Sequence, residues 1–189
     1  MAELRARRDR VVGADLIELR LDTTCDPDAA AAVAGRKTPV IVTCRAAWEG
    51  GHFEGSEEER RRILGDALRL GAEYVDVEFR AGFDELIATD GGRRIVLSSH
   101  DFQEMPADLE DRARAMRATG AEVVKIAGQA SSLCSCLPLL ALGRAHHTAG
   151  KMVLIAMGDA GLSTRILAGR FHSAWTYAGS VREVGQLSA

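Results

Sequence analysis

The sequence predicts a parallel α/β fold of the (β/α)8 barrel class, truncated relative to a complete barrel, and three observations carry that prediction. Strand-like apolar runs alternate with helix-periodic segments, which is the pattern of a parallel sheet covered by helices. A glycine-led string recurs three times, as Gly13-Ala14-Asp15-Leu16-Ile17-Glu18, Gly71-Ala72-Glu73-Tyr74-Val75-Asp76 and Gly120-Ala121-Glu122-Val123-Val124-Lys125. Each glycine closes a helix in the left-handed conformation, and a strand begins almost at once. Polar residues then gather toward the C-terminal ends of these strands, where barrels of this class carry their active sites.

The elements follow in order. Ala2 to Val12 has the character of the end of a first helix, and Ile17 and Glu18 lie in the first strand. The strand VIVTCR (Val40 to Arg45) follows. Ser56 with Glu59 three residues on is a capping box, and Ile63, Leu64, Ala67, Leu68 and Leu70 give the next helix its buried stripe. YVDVEF is the third strand and RIVLSSHD (Arg94 to Asp101) the fourth. Leu109, Ala113 and Met116 face the core from the helix before Gly120. Val123 to Ala127 is the fifth strand, Leu133 to Leu142 an apolar helix, MVLIAMG the sixth strand and Trp175 to Ser180 the seventh. A closed barrel takes eight strands and typically about 250 residues, so a first strand and a last helix are missing from the pattern. Residues 1–189 are read as one domain.

The composition is that of an ordinary soluble globular chain, 47% apolar and 27% charged. A net charge of −3 with mixed signs argues against a nucleic-acid partner, which requires a basic face. The run Arg5, Arg7, Arg8, Arg10 reads as a solvated helix face. No stretch has the length and apolarity of a membrane span or a signal peptide, and the expected location is the cytoplasm. There Cys25, Cys44, Cys134 and Cys136 are expected as thiols. Cys134-Ser135-Cys136 with His146-His147 does not have zinc spacing, and neither GxGxxG nor a phosphate loop occurs, so no metal or cofactor is expected.

Lys125 is the anomaly that points to chemistry. It stands inside the apolar run Val123-Val124-Lys125-Ile126-Ala127, where desolvation disfavours an ammonium and favours a neutral, nucleophilic amine. A lysine that snorkels to water is the ordinary alternative, and its neighbours decide against it. His100 ends the preceding strand and Glu78 the one before, so a base, an orienting carboxylate and an amine occupy three consecutive strands. Such a set acts next to a ketone: the amine forms an iminium, and the imidazole moves the proton from the neighbouring carbon. Arg20, Arg45 and Arg165 fall at or just beyond strand ends, where a guanidinium suits a carboxylate. Glu18 shares a face with Arg20, to pair with it or to bind substrate hydroxyls. The inferred ligand is a small hydroxylated keto acid.

The strings ADLIELRLD, PVIVTCR followed by EGG, YVDVEF, SSHDF, GAEVVKIA and MGDAGLSTRIL, in this order, resemble the type I 3-dehydroquinate dehydratases, the Schiff-base enzymes of the shikimate pathway. The resemblance implies a (β/α)8 lyase converting 3-dehydroquinate to 3-dehydroshikimate, without a cofactor, in a chain that can form a homodimer. It implies that Lys125 forms the iminium, that His100 is the general base and acid, and that Glu78 orients it. Glu18, Arg20, Arg45 and Arg165 match substrate-contacting positions, and Gln186 matches a lid glutamine. The chain departs from the family pattern at Arg182, where a serine is usual, and at Thr164, also usually serine. The abrupt end after Gly185-Gln186-Leu187 resembles the dehydratase part of fusions with shikimate dehydrogenase. A binding-competent but inactive relic and a class I aldolase are the other readings of the same residues.

Overall fold

The computed structural model describes residues 1–179 and 185–186. Six strands lie in one sheet in strict chain order: β1 (Ile17–Arg20), β2 (Val40–Thr43), β3 (Tyr74–Glu78), β4 (Ile95–Asp101), β5 (Val123–Gln129) and β6 (Lys151–Met157). The β1–β2, β2–β3 and β5–β6 pairs are parallel. Chain order without a reversal belongs to consecutive βα units stepping in one direction, as in (β/α)8 proteins, whereas a doubly wound sheet reverses at its switch point. The helices are α1 (Ala2–Arg8), α2 (Ala29–Val33), α3 (Glu57–Arg69), α4 (Asp84–Ala88), α5 (Leu109–Ala118), α6 (Leu137–His146) and α7 (Leu162–Ile166). The chain divides into two compact units, Met1–Val96 and Leu97–Ala189.

In the first unit, Ser56 Oγ accepts the Glu59 N–H at 3.1 Å and starts α3 as the sequence predicts. Ile63, Leu64, Ala67 and Leu68 are buried, whereas Leu70, one residue past the helix end, is exposed. Gly71 then turns the chain at φ +82° and donates its N–H to the Leu68 carbonyl, while Ala72 donates to Ala67. This left-handed cap is what only glycine adopts without strain. Gly13 has φ +80° but lies five residues beyond α1, so it turns a connection and does not cap a helix. Register aligns Arg20 with Thr43 and Thr43 with Asp76, which puts Glu18, Arg20, Thr43, Asp76 and Glu78 on one face.

In the second unit, Leu109, Ala113 and Met116 are buried as expected, and Gly120 follows α5 at φ +84°. The apolar stretch from Leu133 is not one helix. A 3-10 turn, Leu133–Cys136, precedes α6, and Leu139 and Leu142 are buried while Leu133 and Leu137 are exposed. The predicted seventh strand is also altered. Ser173 forms an isolated parallel bridge to Met152, and residues 175–177 join no ladder among the described residues. Exposure nevertheless alternates residue by residue from His172 to Gly179, the signature of an extended segment beside β6. Ser180, at the end of that predicted strand, lies outside the described residues, as do Arg182 and the last three residues.

Candidate active site

The first unit holds a buried charge network built on the ends of β2 and β3. Arg45, just beyond β2, donates from Nη1 to Glu78 Oε1 at 2.9 Å and from Nη2 to Asp76 Oδ1 at 3.0 Å. Arg60, projecting from α3, donates to Glu78 Oε2 and to the Cys44 carbonyl at 3.3 Å. The Arg60 guanidinium also lies 4.7 Å from the Phe83 ring centroid, and this arginine is fully buried. Two guanidiniums thus face two carboxylates in an interior that could not hold any one of them alone. Burial by itself would lower the pKa of Arg45, but the carboxylates of Asp76, Glu78, Glu18 and Glu49 outweigh it and raise it.

The backbone around Arg45 is fixed by the Glu49-Gly50-Gly51 string. Gly50 takes φ +75° at the end of the 3-10 turn Ala47–Glu49, and a Cβ at Gly51 would strike the Arg45 carbonyl. The loop then folds back, with Phe53 N–H donating to Arg45 O at 3.1 Å. Glu18 Oε1 accepts from Thr43 Oγ1 at 2.7 Å. Arg20 lies bidentate on Asp22, Nε to Oδ1 at 2.9 Å and Nη2 to Oδ2 at 2.7 Å, while Glu18 adds a weaker attraction to the same guanidinium. Asp22 also accepts the His52 N–H, and although burial pushes its pKa up, the Arg20 bonds bring it below 3.8.

The second unit carries the amine and the imidazole. Lys125 is 5% exposed on β5, level with Val153 of β6. On β6 the next residue, Leu154, faces α6: a methyl at Gly143 of that helix would come within 3.2 Å of it. Val153, and Lys125 beside it, therefore point to the other face. On β4, Ser99 Oγ accepts from Arg112 Nη1 of α5 at 2.8 Å, so His100 and the buried Ser98 also point away from the helices. The amine and the imidazole share a face. Asp101 Oδ1 accepts the N–H groups of Gln103 and Glu104, an Asx turn that ends β4 just after His100. The His100 ring stacks on Phe102 at 6.1 Å between centroids.

Arg165 is 4% exposed on α7, and burial lowers its pKa. The neighbouring Thr164 fixes it in place, accepting the Ala156 N–H of β6 at 3.0 Å and donating to Gly161 O at 2.8 Å. The hydroxyl alone makes these bonds, so threonine serves as serine would. Arg165 Nη1 donates to the Tyr177 carbonyl at 3.3 Å, and the Tyr177 ring centroid lies 4.7 Å from Lys125 Nζ. Gln186 packs against Gly179, and Gly185 against Gly158 just past β6. Among the described residues no group of three or more His, Cys, Asp or Glu side chains could hold a metal ion.

Asp22, Glu49, Arg60 and Tyr177 belong to these networks and were not singled out as site candidates by sequence reasoning. Arg60 hides in the run Glu57-Glu58-Glu59-Arg60-Arg61-Arg62, which reads as solvated. Only its place three residues before the Ile63 stripe distinguishes it.

A lysine buried in a strand, with an imidazole on the same face and consecutive βα units around them, is the arrangement of an enzyme of the (β/α)8 class. A model of the type I 3-dehydroquinase family matches residues 1–189, and the chain belongs to that family. It is 37% identical over 196 residues to a 3-dehydroquinate dehydratase of Methanosarcina barkeri, with 95% of this chain and 81% of that protein covered. It is 34% identical over 180 residues to the chloroplastic bifunctional 3-dehydroquinate dehydratase/shikimate dehydrogenase of Arabidopsis thaliana, covering 88% of this chain but 29% of that protein. Among solved structures, 3-dehydroquinate dehydratase from Geobacillus kaustophilus superposes with a TM-score of 0.83 at 29% identity, over 99% of this chain and 79% of that one. The type I enzyme from Clostridium difficile gives 0.84 at 23% identity, over 99% and 81%. Family membership sets the aldolase reading aside.

Proposed function

We propose that this chain dehydrates 3-dehydroquinate to 3-dehydroshikimate through an iminium on Lys125. The observation that carries the reading is the burial of Lys125 on the sheet face that also presents His100. Lys125 Nζ attacks the substrate ketone, and loss of water leaves the cationic iminium. His100 removes a proton from the adjacent carbon to give the enamine. The enamine electrons expel the β-hydroxyl, which leaves as water with the proton from His100. Hydrolysis frees the amine and the conjugated enone. The net change is loss of one water, so the atoms balance without a cofactor.

The other residues bind and orient. A substrate carboxylate would relieve the desolvation of Arg165, and Glu18, Arg20 and Arg45 suit hydroxyl groups. Gln186 serves as the lid residue. Glu78 holds Arg45 and, with a second lone pair on each oxygen, is the acceptor that orients His100. We place the enzyme in the cytoplasm, acting as a homodimer on a small molecule. Borohydride added during turnover, followed by peptide mass spectrometry, should leave one reduced adduct on Lys125 and none in Lys125→Ala. Active protein without an adduct at Lys125 would reject the mechanism.

A further inference from the structure

Tyr177 lies in the extended segment past Ser173 and presents its ring 4.7 Å from Lys125 Nζ, while its carbonyl accepts from Arg165 Nη1. One residue therefore touches both the amine and the arginine assigned to the substrate carboxylate. The segment is tied to β6 through Ser173, whose Oγ accepts the Leu154 N–H at 2.9 Å, and through Ala174, whose N–H donates to Met152 O at 2.7 Å. The face of an aromatic ring carries negative potential and attracts a cationic nitrogen placed over it. In the reaction above, that nitrogen is cationic in both iminium intermediates and neutral in the enamine between them.

We propose that Tyr177 is a further catalytic residue, whose ring face stabilises the iminium on Lys125 while its backbone sets the separation between that nitrogen and Arg165. The inference rests on the Lys125 reading and adds to it a group that acts on the charge of the intermediate. The ring, not the hydroxyl, is the active part. Iminium formation is then favoured over free amine and ketone, because the ring has no comparable attraction for a neutral amine.

The test is a series at position 177 in the full chain, read by the fraction of Lys125 trapped by borohydride with saturating 3-dehydroquinate. Tyr177→Phe should trap as the parent does. Tyr177→Leu should trap about threefold to thirtyfold less, the span expected of one cation–π contact. Incorporating phenylalanines of increasing fluorination should lower trapping step by step while the melting temperature holds, since fluorine drains the ring face and barely alters its shape. This graded series decides the matter even if Tyr177→Leu does not fold. Trapping that is unchanged across the fluorinated series would overturn the role of Tyr177. No adduct in the parent protein would instead reject the iminium itself.

Discussion

Asp22 gathers more bonds than its surroundings would suggest, accepting from both edges of Arg20 and from the His52 N–H with its side chain out of water. Its folded pKa is below the ordinary 3.8, so at pH values between the two the unfolded chain binds more protons than the folded one. The stabilisation is complete above the ordinary value and is lost as pH falls through the folded one. Asp22→Asn should therefore be less stable than the parent at neutral pH and should lose less on acidification, measured by urea midpoints at the two ends of that range. An acid profile identical to the parent's would show that Asp22 contributes nothing to it. At this scale the sequence reveals charges that interrupt an apolar strand, as Lys125 and Asp76 do, because burial makes them anomalous. It does not reveal Asp22 or Arg60. Their partners lie up to 30 residues away along the chain, and at their own positions a solvated charge is equally consistent with the neighbours.

Between elements, Arg60 is the tie. From α3 it reaches the last residue of β3 through Glu78 and the backbone just beyond β2 through the Cys44 carbonyl. Removing one partner of a buried ion pair leaves the other uncompensated, so Arg60→Met should cost about 3–5 kcal/mol of unfolding free energy. Arg60→Met combined with Glu78→Gln should recover part of that loss, because Arg45 keeps Asp76 and the other carboxylate that loses Arg60, Glu57, is half-exposed to water. Urea denaturation of the two single variants and the double checks this. A double variant at the sum of the single losses would mean the two residues act separately. The strands and longer helices were legible from period and caps, since apolar alternation and left-handed glycines act locally. The seventh strand was legible only as an extended run: its alternation is present, but isolated bridging, as between Met152 and Ser173, replaces a ladder among the described residues. The break before α6 is also local, since Ser132 and Ser135 form a capping box that an apolarity pattern overlooks.

Across the whole molecule, chain order of the strands was the part that could be counted from the sequence, because each βα unit carries its own start and stop. How much of a barrel the chain amounts to was read as a strand deficit. The chain spans 79% of the solved Geobacillus kaustophilus protein and 81% of the Clostridium difficile one. Along the chain the boundary between the two units falls within β4: Ile95 and Val96 belong to the first, and Leu97 to Asp101 to the second. Unfolding in urea, followed by both far-ultraviolet dichroism and tryptophan fluorescence, should give one transition with coincident midpoints. Two separated midpoints would show that the units melt independently. The seam inside a strand also bears on ancestry and engineering. A gene cut at residue 96 would hand each product a fragment of the same ribbon, so neither half is a module that recombination could lend to another protein. Viable exchanges have to break the chain at turns on either side of β4.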